Sequence, residues 1–455
     1  MVILQDLSQS AITDALKDHL QYIENERTKE RDYMMDFYEG INMDEYVAQY
    51  FTPETLRQAP ILNQNLTKRV CNLRGMTYKR APKLDASDAY IDRIDKFTLQ
   101  AERRQLERLT FLLGTMAFRS MWNEETQKVE YQCLPHFEPL FLAGDRRDQP
   151  VGICYPIEYQ GMARLEKPLH AVWTADRPGQ PGQHYLLDEH GQKISVNELD
   201  RNPYGELPAT FCHRHPPIRD FWSGSGAMDV VSVDLAVCVA QFELQLAVKY
   251  GAMGIKYLTN VEDASRVQIG VDKLLYLPPD SELKVTNPGG SLVEIVDATR
   301  FLVESCLNNN HIRAKYARND SGNAPSAASL AIMELESTME RDANTEDTWR
   351  PWEHRRYEVD KAILQVEANI NVGDDYSVDF LEPNYALDPQ SEIAVWEWRF
   401  NRGLASEMDW FDYMNSDAPE SKREAFKQMQ AERTEQDQTP QNRLLNRLQN
   451  DANTG

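Results

Sequence analysis

The chain is short of the features that usually announce chemistry. No stretch of about eighteen apolar residues runs uninterrupted, so no membrane span is expected. Its six cysteines, Cys71, Cys133, Cys154, Cys212, Cys238 and Cys306, are scattered, and none forms a Cys-x-x-Cys pair. Neither a zinc site nor a disulfide framework is indicated, and buried free thiols in a cytosol-made chain are the expectation. The start, Met1-Val2-Ile3-Leu4-Gln5-Asp6, has no basic region ahead of an apolar run, so no signal peptide is expected. Positive charge is scarce as well. Lys and Arg number 49 against 72 Asp and Glu, a net charge of −23 over 455 residues. A protein that grips DNA usually carries a basic patch, and this chain as a whole does not. A strongly negative protein can still surround a duplex that must slide, and acidic charge equally serves solubility.

Two local patterns invite a chemical reading and fail it. Gly224-Ser225-Gly226-Ala227 before a helix has the look of a phosphate-cradling turn, but no third glycine follows at the fingerprint spacing. No alternating βαβ units surround it either. A tight turn into the next helix is the better reading. His213 and His215 would share one side of a strand, a spacing that suits a metal, yet Pro216-Pro217 follows and no third ligand is in view. The carboxylates are too numerous for a catalytic pair to stand out. No Ser/His/Asp or Cys/His constellation can be argued, so neither catalysis nor a cofactor is expected.

What the chain does have is a stretch, Gly224 to Asn371, of unusual order. A helix is predicted from Met228 to Tyr250, with Val230, Val233, Val237, Phe242, Leu244, Leu246 and Val248 spread around all its faces. Such a helix must be buried, in a core, against copies of itself, or in lipid. Asp234, Gln241, Glu243 and Gln245 within it argue against lipid. Short β-type runs follow at Ile255–Leu258, Leu274–Leu277, Leu283–Thr286 and Leu292–Val296, with turns at Pro278-Pro279-Asp280 and Asn287-Pro288-Gly289-Gly290. A second helix is predicted from Asp297, its N-cap, with Phe301, Leu302, Ser305, Cys306 and Ile312 at helical spacing. Asn319 to Ser326 is polar and broken by Gly322 and Pro325, fitting neither helix nor strand. From Ala327 a helical pattern runs to Ile370, about 40 residues or some 60 Å, with a kink expected at Pro351.

The flanks are simpler. Ser10–Tyr38, Leu62–Leu73 and Ala89–Leu113 are predicted helices, with Thr77–Pro82 a connection. Met116–Trp122 and Val129–Leu134 alternate as a hairpin, and Phe137–Leu142, Gly152–Tyr159, Leu169–Thr174, His184–Asp188 and Ala209–His213 continue a mainly antiparallel region. Ser377–Leu381 is a last strand. Helices follow from Pro389 to Arg402, Leu404 to Met414 and Pro419 to Thr434, and the rest has little to bury.

Two helices enclosing a small β unit, then a polar loop and a long kinked helix, resemble a tailed-bacteriophage portal protein, a head-to-tail connector. The resemblance covers nearly the whole chain and rests on element order, not on a short motif. It implies an α+β portal-type fold. Residues 1–227 would form a wing of helices and antiparallel β, 228–250 a first stem helix, 251–296 a small α/β clip and 297–318 a second stem helix. Residues 319–326 would be a tunnel loop, 327–384 the wing with its long kinked helix, 385–435 a helical crown and 436–455 a disordered tail.

The same resemblance implies a ring, a dodecamer, at one vertex of a phage capsid, beside the major capsid protein and in the virion after assembly in the host cytoplasm. Double-stranded DNA would pass through it during packaging and ejection. The terminase large subunit and a head–tail adaptor would dock on it, with no membrane involved. On this reading Arg313, Lys315, Arg318, Asn319, Asp320, Ser321, Gly322 and Asn323 are the candidate DNA-channel residues. Arg313, Lys315 and Arg318 serve equally well as a solvated helix end that favours the C-terminal dipole. Pro279, Asp280, Glu282, Lys284 and Asn287 are the candidate docking residues, at what would be loop tips. Two other readings stay open: an accessory subunit of a nucleic-acid-processing enzyme, which needs a metal or nucleotide site, and a helical scaffold, which predicts a small oligomer.

Overall fold

The computed structural model describes residues 2–21, 26–160, 163–188, 190–194, 200–224, 226–253, 255–259, 282–286, 292–312, 337–381, 389–414 and 420–437. It is a mixed α+β chain in two compact units, residues 1–323 with 332–383, and residues 324–331 with 384–455.

The larger unit opens with β1 (Val2–Leu4), α1 (Gln9–Gln21) and α2 (Glu26–Glu39). Residues 22–25, inside the single helix expected from Ser10 to Tyr38, lie outside the described residues. The two helical stretches serve different cores: Ile12 and Leu16 of α1 pack with β1, whereas Met34 and Phe37 of α2 join the main core. Short α3 (Met43–Ala48) and α4 (Pro53–Leu56) lead to α5 (Leu66–Arg74), then β2 (Lys83–Ala86), α6 (Asp88–Ile91) and α7 (Lys96–Leu113). The single helix expected over Ala89–Leu113 is therefore broken. Asp95 accepts from Phe97 N at 3.1 Å and Thr98 N at 3.4 Å, capping a fresh N-terminus, while Ile94 bridges to Val129. Capping and strand pairing together win over helix propensity there.

The β region forms two sheets. β3 (Thr115–Asn123), β4 (Lys128–Leu134) and β10 (Ala209–His213) order as β10-β3-β4. β5 (Glu138–Leu142), β6 (Gly152–Gln160), β7 (Ala163–Thr174), β8 (His184–Leu187) and β9 (Lys193–Ile194) order with β1 as β1-β5-β6-β7-β8-β9. Pairing is antiparallel as expected, except that β1 lies parallel to β5, with Val2 opposite Leu140. Phe137, Phe141, Ile153, Trp173, Phe221 and Trp222 fill an aromatic core on these sheets.

Next come α8 (Met228–Met253), β11 (Ile255–Thr259), β12 (Glu282–Thr286) and α9 (Leu292–Asn309). The run Leu292–Val296 was expected as strand and is the first turn and a half of α9 instead. Leu292, Ile295, Val296, Thr299, Leu302 and Val303 keep the helical spacing that a local β-branched cluster hides, and Thr299 Oγ1 donates to Ile295 O at 2.8 Å. The helix thus begins five residues before Asp297. It also ends earlier than the expected 318. His311 takes a left-handed conformation (φ 56) and Ile312 N donates to Leu307 O at 2.8 Å, the Schellman closure of a helix C-terminus.

A helical run then covers residues 337–367, as helix over 337–344, a π turn over Thr345–Trp349, and α10 (Arg350–Glu367). Pro351 has no N–H to offer one turn back, and a proline ring inside a helix crowds the carbonyl four residues earlier. The widened π turn lies immediately before it, a place where such a mismatch can be taken up. β13 (Tyr376–Asp379) closes the unit by pairing with β2.

The smaller unit holds α11 (Pro389–Asn401), α12 (Glu407–Met414) and α13 (Glu420–Asp437). Ser406 and Asp409 cap α12 reciprocally, at 2.7 Å from Ser406 N to Asp409 Oδ2 and 3.2 Å from Asp409 N to Ser406 Oγ. Phe411 stacks on Phe426 with ring centroids 4.4 Å apart.

Candidate assembly site

The turn into α8 is set by two glycines pressed together. Gly226 has φ +58, and a Cβ there would run into the Leu112 carbonyl at the end of α7. Gly114, which ends α7 with φ +78, faces the Ser223 carbonyl in the same way. Ala227 N donates to Leu112 O at 2.8 Å and pins the crossing. Gly114 and Gly226 make a close backbone crossing and are there for space, whereas Gly224 has open room and only its φ of +43 favours glycine.

Along α8, Val230, Val231, Asp234, Val237, Cys238, Phe242 and Leu246 are buried, facing α5, α2, α3 and α9. Met228–Lys249 is long and apolar enough by composition to cross a membrane. Its protein packing is nevertheless polar in places. Asp234 Oδ2 accepts from Thr67 N and Thr67 Oγ1, both at 2.8 Å, Gln241 Oε1 accepts from Gln64 Nε2 at 3.2 Å, and Lys249 Nζ donates to Gln58 O at 2.8 Å. Phe51 meets Phe242 with centroids 4.7 Å apart.

α9 packs on α8 through one edge only. Cys306 and Leu307 are buried, but Leu292, Val293, Val296, Phe301 and Leu302 are exposed, Val293 by 67% and Phe301 by 69%. Among the described residues α9 therefore presents apolar side chains to solvent on more than one face. Between the two helices, β11 and β12 pair antiparallel, Thr259 opposite Glu282 and Tyr257 opposite Lys284. Of the expected docking residues, Glu282 and Lys284 thus stand two apart on β12, and Pro279, Asp280 and Asn287 lie outside the described residues. So do all the expected channel residues, Arg313, Lys315, Arg318, Asn319, Asp320, Ser321, Gly322 and Asn323. Asn310, just ahead of them, is buried and donates from Nδ2 to Cys306 O at 3.0 Å.

The long helix is anchored by charges that the sequence reading missed. Arg356 is fully buried and donates to Glu353 Oε2 at 3.0 and 3.2 Å, to Tyr90 Oη at 2.7 Å and to Asp360 Oδ2. Glu353 also takes Arg103 Nη2 at 2.6 Å, Tyr78 Oη at 2.9 Å and Tyr376 Oη at 3.0 Å. Ser120, Tyr90 and Tyr131 all donate to Asp360, at 2.7 to 2.9 Å. Burial alone would raise the Glu353 carboxyl, but Arg103 and Arg356 outweigh it and hold it at about 2. At Asp360 burial prevails and pushes its carboxyl up. One face of α10 is thereby tied to α6, α7, β3, β4 and β13.

The His213 ring bonds Thr115 Oγ1 at 3.2 Å and packs on Phe221, and burial with nearby Arg355 lowers it to about 4. Such a neutral ring is a structural one. Among the described residues no three His, Cys, Asp or Glu side chains gather to hold a metal ion. All six cysteines are free and buried.

No known sequence family matches the chain, and no curated protein does. Its fold is similar to chains in solved gene transfer agent particles and to a phage portal protein. A chain in the neck of a native gene transfer agent particle, solved with C12 symmetry, matches at 12% identity and TM-score 0.39, over 78% of this chain and 90% of that one. A chain in the virion of the native gene transfer agent matches at 10% and 0.36, over 74% and 84%. A portal protein of the HK97 phage family from Corynebacterium diphtheriae matches at 9% and 0.31, over 76% and 96%. Superposition at these scores is loose.

Proposed function

We propose that the chain is a portal subunit, one of twelve copies in a ring at a capsid vertex. The observation that carries this reading is the helix pair. α8 is apolar on nearly every face, and α9 leaves Val293 and Phe301 largely exposed beside Leu292, Val296 and Leu302. Fully burying a large apolar side chain contributes roughly 1.5–3 kcal/mol. Five such side chains, spread over several faces of α9, are therefore a substantial drive toward neighbouring copies, and a ring repeats it at every contact. The two helices flank a small β unit, too short to be stable alone, that neighbouring copies would support at its edges.

In this ring α8 and α9 form the stem, the segment 251–291 the clip, and 319–326 the tunnel loop, with the helices after 384 as the crown. Double-stranded DNA passes through the channel, and the net charge of −23 suits a duplex that slides instead of being held. Arg313, Lys315 and Arg318 supply a few phosphate contacts. The clip, at the exposed end, receives the terminase large subunit during packaging and a head–tail adaptor afterwards. The subunit has no catalytic role, and its place is the virion. The paired substitution Val293→Glu with Phe301→Glu tests the reading. It should turn rings into monomers or small oligomers on light scattering while far-UV circular dichroism stays unchanged. Rings that persist in the double variant would mean that this face is not the subunit contact.

A further inference from the structure

Where the long helix widens into its π turn, it borders a small polar cavity of about 40 Å³. Single-turn π segments inside α-helices often mark functional positions. The cavity walls come from α5, α7, the residues after β10 and the long helix, and three guanidinium groups, of Arg74, Arg214 and Arg341, line it. Two carboxylates line it as well, and both are engaged. Glu340 accepts from Arg74 Nη2 at 3.0 Å and Asn344 Nδ2 at 3.3 Å. Glu107 takes the Thr77 and Tyr78 N–H groups, at 2.8 and 3.0 Å, one on each oxygen.

The cations are less well served. Arg214 Nη1 donates to Gly226 O at 2.8 Å, and Arg341 uses Nη1 on Asp342 and Nη2 on Leu381 O, both at 2.8 Å. Arg74 Nε, Arg341 Nε and Thr110 Oγ1 are buried with no partner. The side chains of Arg74 and Arg341 are only 8% and 5% exposed, and Thr110 only 2%. Unmet buried donors cost about 1–3 kcal/mol each, so three around one cavity ask for an acceptor. Burial and then the neighbouring Arg74 lower the Arg214 guanidinium, as crowding among cations requires.

We propose that this cavity binds a small tetrahedral oxyanion of the phosphate class. A buried water needs roughly 10–15 Å³, so the space suits about three waters or one such anion. An oxyanion brings several acceptors and a negative charge, which matches two guanidinium N–H groups and a hydroxyl better than water does. The site joins α5, α7 and the long helix just beneath the turn into α8, so its occupant would brace that junction. The anion is either free phosphate or a phosphodiester of nucleic acid.

Thermal unfolding of the full chain separates these outcomes. It would be run in chloride, in potassium phosphate at the same pH and ionic strength, and in chloride with a short thymidine oligonucleotide lacking terminal phosphates. The wild-type Tm should rise in phosphate, saturably, above its value in chloride. Thr110→Val removes an unpaired hydroxyl, so it should hold its Tm in chloride and bind phosphate at least fivefold more weakly. Arg74→Lys keeps the charge and the reach to Glu340 but deletes the Nε donor, and it should weaken phosphate equally. A rise with the oligonucleotide alone, lost in both variants, would make the ligand a phosphodiester and uphold the anion site. No wild-type rise in either arm, or an equal rise in the variants, would show that the cavity holds only water.

Discussion

Replacing Glu353 by Gln tests how the long helix is held. Glu353 Oε2 sits 2.6 Å from Arg103 Nη2 and 3.0 Å from Arg356 Nη2, in full burial. The amide would leave Arg103 without its carboxylate partner and Arg356 with Asp360 alone, and breaking a buried pair from one side costs about 3–5 kcal/mol. The depressed carboxyl gives a second figure. A carboxyl held at about 2 in the fold, against 4.5 when unfolded, contributes roughly 3 kcal/mol at neutral pH. Because the folded value is depressed, that contribution is complete above pH 4.5 and is lost as pH falls toward 2. About 1.4 kcal/mol should remain at pH 3. Asp360, raised by burial, works in the opposite sense. Urea unfolding followed by tryptophan fluorescence at pH 7, 5 and 3 would show Glu353→Gln less stable by about 3 kcal/mol, with the gap shrinking by half or more at pH 3. A gap below 1 kcal/mol at pH 7, or one independent of pH, would refute the ionic anchor.

Other substitutions probe separate parts of the account. Gly226→Ala combines a φ of +58 with a Cβ pressed into the Leu112 carbonyl, so it should destabilise by more than about 2 kcal/mol in urea titration, whereas Gly373→Ala, in open space, should cost less. Arg313, Lys315 and Arg318 changed together to Gln should weaken the low, non-specific DNA affinity of the ring and flatten its salt dependence in filter binding. Tight, sequence-selective binding at physiological salt would contradict a sliding channel. Deleting Asn319–Ser326 should spare assembly and impair DNA packaging or retention, while loss of assembly would make the loop structural. Charge changes at Asp280, Glu282 and Lys284 should leave rings intact and reduce terminase and adaptor capture in pull-downs.

How much of this was legible before the structure differs by element. The β-hairpin at Asn123–Lys128 and the apolar α8 are written in local periodicity, and the chain follows them closely. The start of α9 was not, because Leu292-Val293 and Ile295-Val296 look like strand over five residues and like helix only over twelve. The break between α6 and α7 depends on Val129, a partner about 35 residues on from Ile94, which no local window contains. The ionic anchor was hidden for the same reason. Glu353, Arg356 and Asp360 share one helical face that nothing local marks as buried, and their partners Tyr78, Tyr90, Arg103, Ser120, Tyr131 and Tyr376 come from six other parts of the chain. The polar cavity is likewise a product of tertiary packing, with Arg74 and Arg341 267 positions apart in sequence and facing one space.

Native mass spectrometry of the purified full-length chain tests the central claim most directly. Twelve copies of a 52.5 kDa chain weigh about 630 kDa. A portal subunit should give that mass, or a closed ring within one or two subunits of it, stable to dilution. A chain that stays monomeric or dimeric at every concentration and salt would contradict the account.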